Sequence, residues 1–195
     1  MQRGKNRTAA TVIIMLIIAI AILSFYFYWS FRTKPLDEVA VENMTEVQKL
    51  INKDLELYYP ETPREVTKLL GSMIKNLYDN ISDEEREELA LKVRELYDEE
   101  FLAANPQDTY IENLYSDIAS WKAKNRRITA FHLVKKDLEQ QAEVDGVRYA
   151  TVYLSYTIQE GGKFTETWKI MLRQDDAKKW KILGWKIAPE DKEAE

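Results

Sequence analysis

One stretch of this chain decides its class of fold: residues 147–159 read VRYATVYLSYTIQ. Its side chains alternate in character, and successive residues of a strand point to opposite faces of a sheet. One predicted face is apolar and holds Ala150, Val152, Leu154, Tyr156 and Ile158. The other face is mixed and holds Tyr149, Thr151, Tyr153, Ser155 and Thr157. The stretch therefore predicts a long strand with one face against a core.

Turn signals flank this strand on both sides. Asp145-Gly146 precedes it and Glu160-Gly161-Gly162 follows it, and such turns join antiparallel neighbours. With the alternation elsewhere, they predict four strands, which lie at 127–138, 147–159, 163–174 and 180–187. A bulge is expected at Gly184 in the last strand.

The region before the strands has a helical period instead. An apolar stripe from Leu36 to Tyr58 predicts a first helix that ends near Tyr59, before Pro60. Three start signals predict three more helices: the capping boxes Thr62–Glu65 and Ser82–Glu85, and the pair Asn105-Pro106. The prediction is the α+β class, with about four helices packed on a curved four-stranded antiparallel sheet.

An uncharged run from Thr8 to Phe31 precedes the predicted domain. As a helix these 24 residues would rise roughly 36 Å, enough to cross a bilayer core of about 30 Å. We therefore predict a transmembrane helix whose side chains contact membrane lipid. The predicted parts of the chain are a tail at 1–7, the span at 8–31, a hinge at 32–36, the α+β domain at 37–188 and a charged tail at 189–195.

The flanks of this run predict its direction. Arg3, Lys5 and Arg7 lie before it, whereas only Arg32 and Lys34 follow closely behind it. Cytoplasmic flanks hold the excess of Lys and Arg, so we expect a cytoplasmic N-terminus and an extracytoplasmic domain.

A cleaved signal peptide is the alternative interpretation of this N-terminus, since it too has a basic start and an apolar centre. Ala19 and Ala21 would then mark a cleavage site. The run continues past Ala21 into bulky aromatic residues, which favours the uncleaved anchor.

Composition excludes several classes of protein. The chain has no cysteine, which excludes a lipid-anchored lipoprotein and a domain held together by disulfides. Its 28 basic and 33 acidic residues give a net charge of −5. Because nucleic-acid binding requires a basic stripe, we expect no nucleic-acid partner.

The order of elements, together with the strands Glu166–Ile170 and Trp180–Trp185, resembles the nuclear-transport-factor-like, or cystatin-like, α+β cone. The Trp-Lys pattern and the final Trp are common in that superfamily. The chain also resembles uncharacterised small single-span proteins of Gram-positive anaerobes. The resemblance implies a fold with a pocket on the concave face of its sheet. It implies no activity, because this fold serves enzymes, binding modules and secretion scaffolds.

Glu166 is the first candidate for a binding residue. Its predicted strand face is otherwise apolar and holds Phe164, Trp168, Ile170 and Leu172. A carboxylate held among aromatic side chains has a raised pKa and can act as an acid or base. The alternative is a carboxylate near the strand end that faces water or pairs with a cross-strand lysine.

Further candidates from the sheet are the single histidine and a group of aromatic residues. His132, the single histidine, is predicted to share a face with Ile128, Ala130 and Val134. It is interpreted either as a general base or as a partly buried strand residue with a hydrogen bond. Five aromatic residues are expected either to line a ligand or peptide groove or, for most of them, to fill the core: Tyr149, Tyr153, Trp168, Trp180 and Trp185.

No phosphate-binding loop, nucleophile elbow or dinucleotide fingerprint is present, and we expect no metal ion and no cofactor. The leading hypothesis is a non-enzymatic, membrane-anchored module that binds a protein or a cell-envelope component. A second hypothesis is a self-associating scaffold subunit of a type IV secretion-like or conjugation machine. The third is an enzyme or small-molecule binder with a pocket that includes Glu166, His132 or Asp137.

Overall fold

The computed structural model describes residues 44–134 and 139–189. The predicted tail at 1–7, span at 8–31 and hinge at 32–36 therefore lie outside the described residues, as does Asp137. Within the described part of the chain, no helix combines the length and the apolar character that crossing a membrane requires.

Helices precede strands in the described residues, which confirms the α+β class. The helices are α1 (Glu46–Ile51), α2 (Pro63–Leu77), α3 (Asp83–Arg94), α4 (Glu99–Ala104) and α5 (Gln107–Ala123). The strands are β1 (Arg127–Leu133), β2 (Gln140–Val144), β3 (Val147–Glu160), β4 (Gly162–Gln174) and β5 (Trp180–Ile187).

The predicted starts of α2 and α3 are confirmed by their hydrogen bonds. The Thr62 hydroxyl accepts from the backbone N–H of Glu65 at 3.2 Å, and the Glu65 carboxylate accepts from the Thr62 N–H at 3.1 Å. Ser82 and Glu85 form the same reciprocal pair at the start of α3. Each pair satisfies donors that the first helical turn leaves without partners.

The first helix is shorter than predicted. α1 ends at Ile51, and the Asp54 carboxylate accepts from the backbone N–H groups of Glu56 and Leu57, each at 2.9 Å. Such bonds stabilise a turn in place of a helix. α4 is absent from the prediction because its six residues are too few to show a helical period.

The sheet is antiparallel, with the order β1-β3-β4-β5, and β2 also pairs with β3. β1 and β2 lie along different halves of the same edge of β3. The prediction of four strands is therefore wrong by one, because the strand predicted at 127–138 ends at Leu133 and a separate strand follows. All five residues of β2 are exposed, so no alternation in burial marks it in the sequence.

The helices cover one face of the sheet, and the core lies between the two layers. The predicted apolar face of β3, from Ala150 to Ile158, is at most 4% exposed. It packs with buried apolar residues of the helices, which include Val66, Leu70, Met73, Leu77, Leu89 and Val93. Tyr156 pairs with Glu166 across β3 and β4, so Glu166 lies on this helix-covered face.

The predicted face of β1 is wrong beyond Ile128. The pairing with β3 shifts between Ile128 and Ala130, which makes Thr129 an extra residue. A bulge of one residue moves every later side chain to the opposite face. Phe131 therefore packs against the core, and His132 is exposed on the uncovered face of the sheet.

Candidate functional site

Glu166, Tyr156, Trp168 and Trp185 lie together on the helix-covered face, and we call these four residues the Glu166 cluster. The indole N–H of Trp168 donates to Glu166 Oε1 at 2.6 Å. The rings of Trp168 and Trp185 are parallel, with centroids 5.8 Å apart. Tyr156 and Trp168 meet edge to face at 4.9 Å. A single carboxylate thus lies among electron-rich rings.

The backbone of two strands positions these side chains. Glu166 and Trp168 share a face because they are two residues apart in β4. In β5, Gly184 pairs with Met171 and Ile182 with Leu172, so Leu183 is an extra residue. This confirms the bulge predicted at Gly184. The bulge places Trp185 on the same face as Trp168, whereas an unbroken strand would turn it away.

Two aromatic side chains of the helical layer pack against Trp185. Tyr97, which follows α3, has its ring centroid 5.8 Å from that of Trp185. Phe101 of α4 lies 5.3 Å from Trp185 in an edge-to-face arrangement. The short helix α4 therefore contributes directly to the environment of this cluster.

Burial in the cluster is uneven. Tyr156 is only 1% exposed, and its hydroxyl has no hydrogen-bond partner among the described residues. Glu166, Trp168 and Trp185 are half-buried, so part of each side chain remains in contact with solvent. Burial is the main cause that raises the pKa of Tyr156 and of Tyr78, and the negative charge of Glu166 is the smallest of the causes in both. Both phenols are therefore neutral at physiological pH.

The structure separates the candidates that the sequence predicts. Glu166 and Trp168 are brought together by a hydrogen bond. His132, Tyr149 and Tyr153 instead lie on the opposite face of the sheet, where the Tyr153 ring faces the Lys169 ammonium at 6.0 Å. These three residues cannot join the Glu166 cluster in one site.

Tyr149 lines a cavity of about 620 Å³ beside the end of β4 and the start of β5. Here Arg173 forms a two-pronged ion pair with Asp98, and its Nε donates to Asp98 Oδ2 at 3.0 Å. Asp98 is 4% exposed, and its N–H donates to the carbonyl of Ile182 at 2.9 Å. The pair attaches the segment after α3 to the edge of the sheet. No local pattern in the sequence marks this pair, because 75 residues separate the two partners.

An apolar groove of about 610 Å³ lies beside α2. Leu50, Leu57, Tyr58, Leu69 and Phe131 are among its lining residues. Leu57 and Tyr58 are exposed, whereas the predicted helix would have placed Tyr58 on its apolar stripe. Because α1 ends at Ile51, Leu57 and Tyr58 lie outside the helix and line this groove.

In the part of the chain that the structure describes, no three Asp, Glu or His side chains lie together so that they could bind a metal ion. The Glu166 cluster offers one carboxylate, one phenol and two indole rings as its chemistry. No curated protein matches the sequence of this chain. Residues 1–185 match the family model described as a domain of unknown function (DUF6715), and the chain belongs to that family.

Proposed function

We propose that this chain is a non-enzymatic binding module, anchored in the cell membrane by residues 8–31. The N-terminus lies in the cytoplasm and the α+β domain lies on the extracytoplasmic side. The uncharged run and the basic residues before it support this topology. Helices over one face of an antiparallel sheet support a nuclear-transport-factor-like cone as the fold of the domain.

One observation supports a ligand site above all others: the half-buried carboxylate of Glu166 takes part in none of the ion pairs of the described residues. Its hydrogen bond there comes from Trp168. Partial desolvation of a carboxylate costs free energy that a single indole N–H offsets only in part. A bound molecule that supplies further donors or a positive charge would offset the remainder.

The groups around Glu166 favour recognition over catalysis. Acid–base catalysis commonly relies on two titratable groups whose pKa values differ and straddle the working pH. The neighbouring polar groups are the phenols of Tyr78 and Tyr156, whose pKa is raised by burial. Phenols that stay protonated far above the working pH are poor proton donors for catalysis, so these two groups do not form an acid–base pair with Glu166.

The topology is tested by a reporter fused after Glu195. Activity of an extracytoplasmic reporter, such as a periplasmic or surface phosphatase, is the expected result. A reporter that is active only in the cytoplasm would overturn the proposed location.

The site is tested by a photoreactive phenylalanine analogue at Ile187, which pairs with Trp168 and is 62% exposed. The matched control is the same analogue at Val144 of β2, which is 55% exposed. Irradiation of cells should yield an adduct from position 187 and none from position 144. Equal adducts from both positions would contradict a specific site. An adduct between two copies of this chain would favour the scaffold hypothesis instead.

A further inference from the structure

The negative charge of Glu166 has no ion-pair partner among the described residues, although two arginines lie on the helix-covered side. Arg126, whose guanidinium faces the rings of Trp121 and Phe164 at 4.8 and 5.2 Å, forms its ion pair with Glu160 at 2.8 Å. Arg94 faces the Tyr110 ring at 5.1 Å. These arginines have other partners, so among the described residues no cation pairs with the negative charge of Glu166.

The rings beside this carboxylate are of the kind that attract cations. Trp has the most favourable face for a cation, followed by Tyr, because the ring quadrupole is negative above its plane. Trp168 and Trp185 are both half-buried, so part of each side chain remains accessible, and Trp168 contacts the carboxylate directly. None of the cation–ring contacts of the described residues involves either of these two rings.

None of the hydrogen-bond donors of the cluster, the indoles of Trp168 and Trp185 and the phenol of Tyr156, carries a positive charge. The Trp168 N–H bonds to Glu166, and Tyr156 retains a buried phenol. An anionic ligand would meet the Glu166 carboxylate, which forms no ion pair with a basic side chain of the described residues. A neutral ligand would leave that charge uncompensated. An organic cation compensates the carboxylate and contacts the rings with the same group.

We propose that the Glu166 cluster binds an organic ammonium group of its ligand, with Glu166 as counter-ion and Trp168 and Trp185 as the aromatic surface. This inference rests on the proposed function as a binding module and names the ligand class of that site. The ammonium group belongs either to a quaternary headgroup or to a lysine-like amine, and both share the chemistry that the cluster recognises.

The test is isothermal titration calorimetry of the full chain in detergent micelles with three probes. Choline presents a quaternary ammonium, and 3,3-dimethylbutan-1-ol has the same shape without the charge. Butylamine presents a primary ammonium and represents a lysine side chain. We expect one or both cations to bind at least about tenfold more tightly than the neutral alcohol. The tighter of the two cations then identifies the source of the group.

Two variants and one control complete the design. Glu166→Gln keeps the shape of the side chain and removes its charge, and it should weaken cation binding about tenfold or more. Trp185→Leu removes one ring surface and should weaken binding several-fold. Glu143→Gln removes an exposed charge on β2 and should leave affinity unchanged. Circular dichroism of each variant establishes that the fold is retained.

Equal affinity for choline and its neutral analogue would overturn the inference, and so would unchanged cation binding in Glu166→Gln. Absence of binding by both cations to the folded chain would also overturn it. In each case a specific adduct at position 187 would still support the binding module, so the two proposals fail separately.

Discussion

Replacing Arg86 by methionine is expected to lower the free energy of unfolding by about 3 kcal/mol. Arg86 belongs to α3 and is 1% exposed, which is rare for an arginine. Its guanidinium donates to the carbonyl of Leu77 at the end of α2. It also donates to the carbonyls of Asp79 and Ile81 at 3.2 and 3.1 Å. One side chain thus binds three carbonyls between α2 and α3.

The magnitude follows from these three bonds. A hydrogen bond from a charged donor contributes about 1.5–3 kcal/mol, and a buried carbonyl left without a partner costs about 1–3 kcal/mol. Removing the guanidinium also removes its own desolvation penalty of several kcal/mol. The difference leaves a net loss of about 3 kcal/mol, since methionine fills much of the volume but donates no hydrogen bond.

Urea unfolding of the full chain in micelles, followed by tryptophan fluorescence, measures this loss. Arg127→Met is the matched control, because Arg127 is an exposed arginine of β1 whose loss should change stability by less than about 0.5 kcal/mol. A loss below about 1 kcal/mol for Arg86→Met would refute the reasoning that its carbonyl bonds stabilise the connection between α2 and α3.

Three further predictions concern packing, capping and pH. A Cβ at Gly71 would lie 2.7 Å from Cδ2 of Phe131, so Gly71→Val should destabilise the domain by about 1–3 kcal/mol, measured as a lower Tm; an unchanged Tm would mean that the ring moves aside freely. Ser82→Ala removes the cap of α3 and should lower the free energy of unfolding by about 1 kcal/mol, read from the urea midpoint. Burial raises the folded pKa of Tyr78 and Tyr156 above the ordinary value of 10.0, so their contribution to stability is fully present below pH 10. Above that pH the unfolded chain releases the protons and the folded chain retains them, so stability should fall by about 1.4 kcal/mol per group and pH unit. A free energy of unfolding that stays constant between about pH 10 and pH 11 would contradict this.

Several parts of the fold could be predicted because their causes are local. The capping boxes at Thr62 and Ser82 act within four consecutive residues, so the sequence alone locates the starts of α2 and α3. The period of two in β3 and β4 likewise predicts which side chains share a face. It therefore predicts that Glu166 and Trp168 lie together, and their hydrogen bond confirms this.

Other parts could not be predicted because they depend on partners that are distant in the chain. The bulge at Thr129 exists only in relation to β3, and no composition marks it. It reverses the face of every residue after it and thereby exposes His132. α1 ends early because the Asp54 carboxylate competes for backbone donors, whereas the apolar stripe itself continues to Tyr58.

The sequence by itself determined the class of fold, the helix starts and the position of a carboxylate on an aromatic strand face, since each depends on neighbours within a few residues. Only the tertiary structure decided that Trp185 joins Trp168, because the bulge at Gly184 turns it to that face. It also decided that Tyr149 and Tyr153 lie on the opposite face of the sheet from Glu166. The physical reason is that strand pairing and helix packing bring together residues far apart in the chain, and periodicity carries no information about those distances.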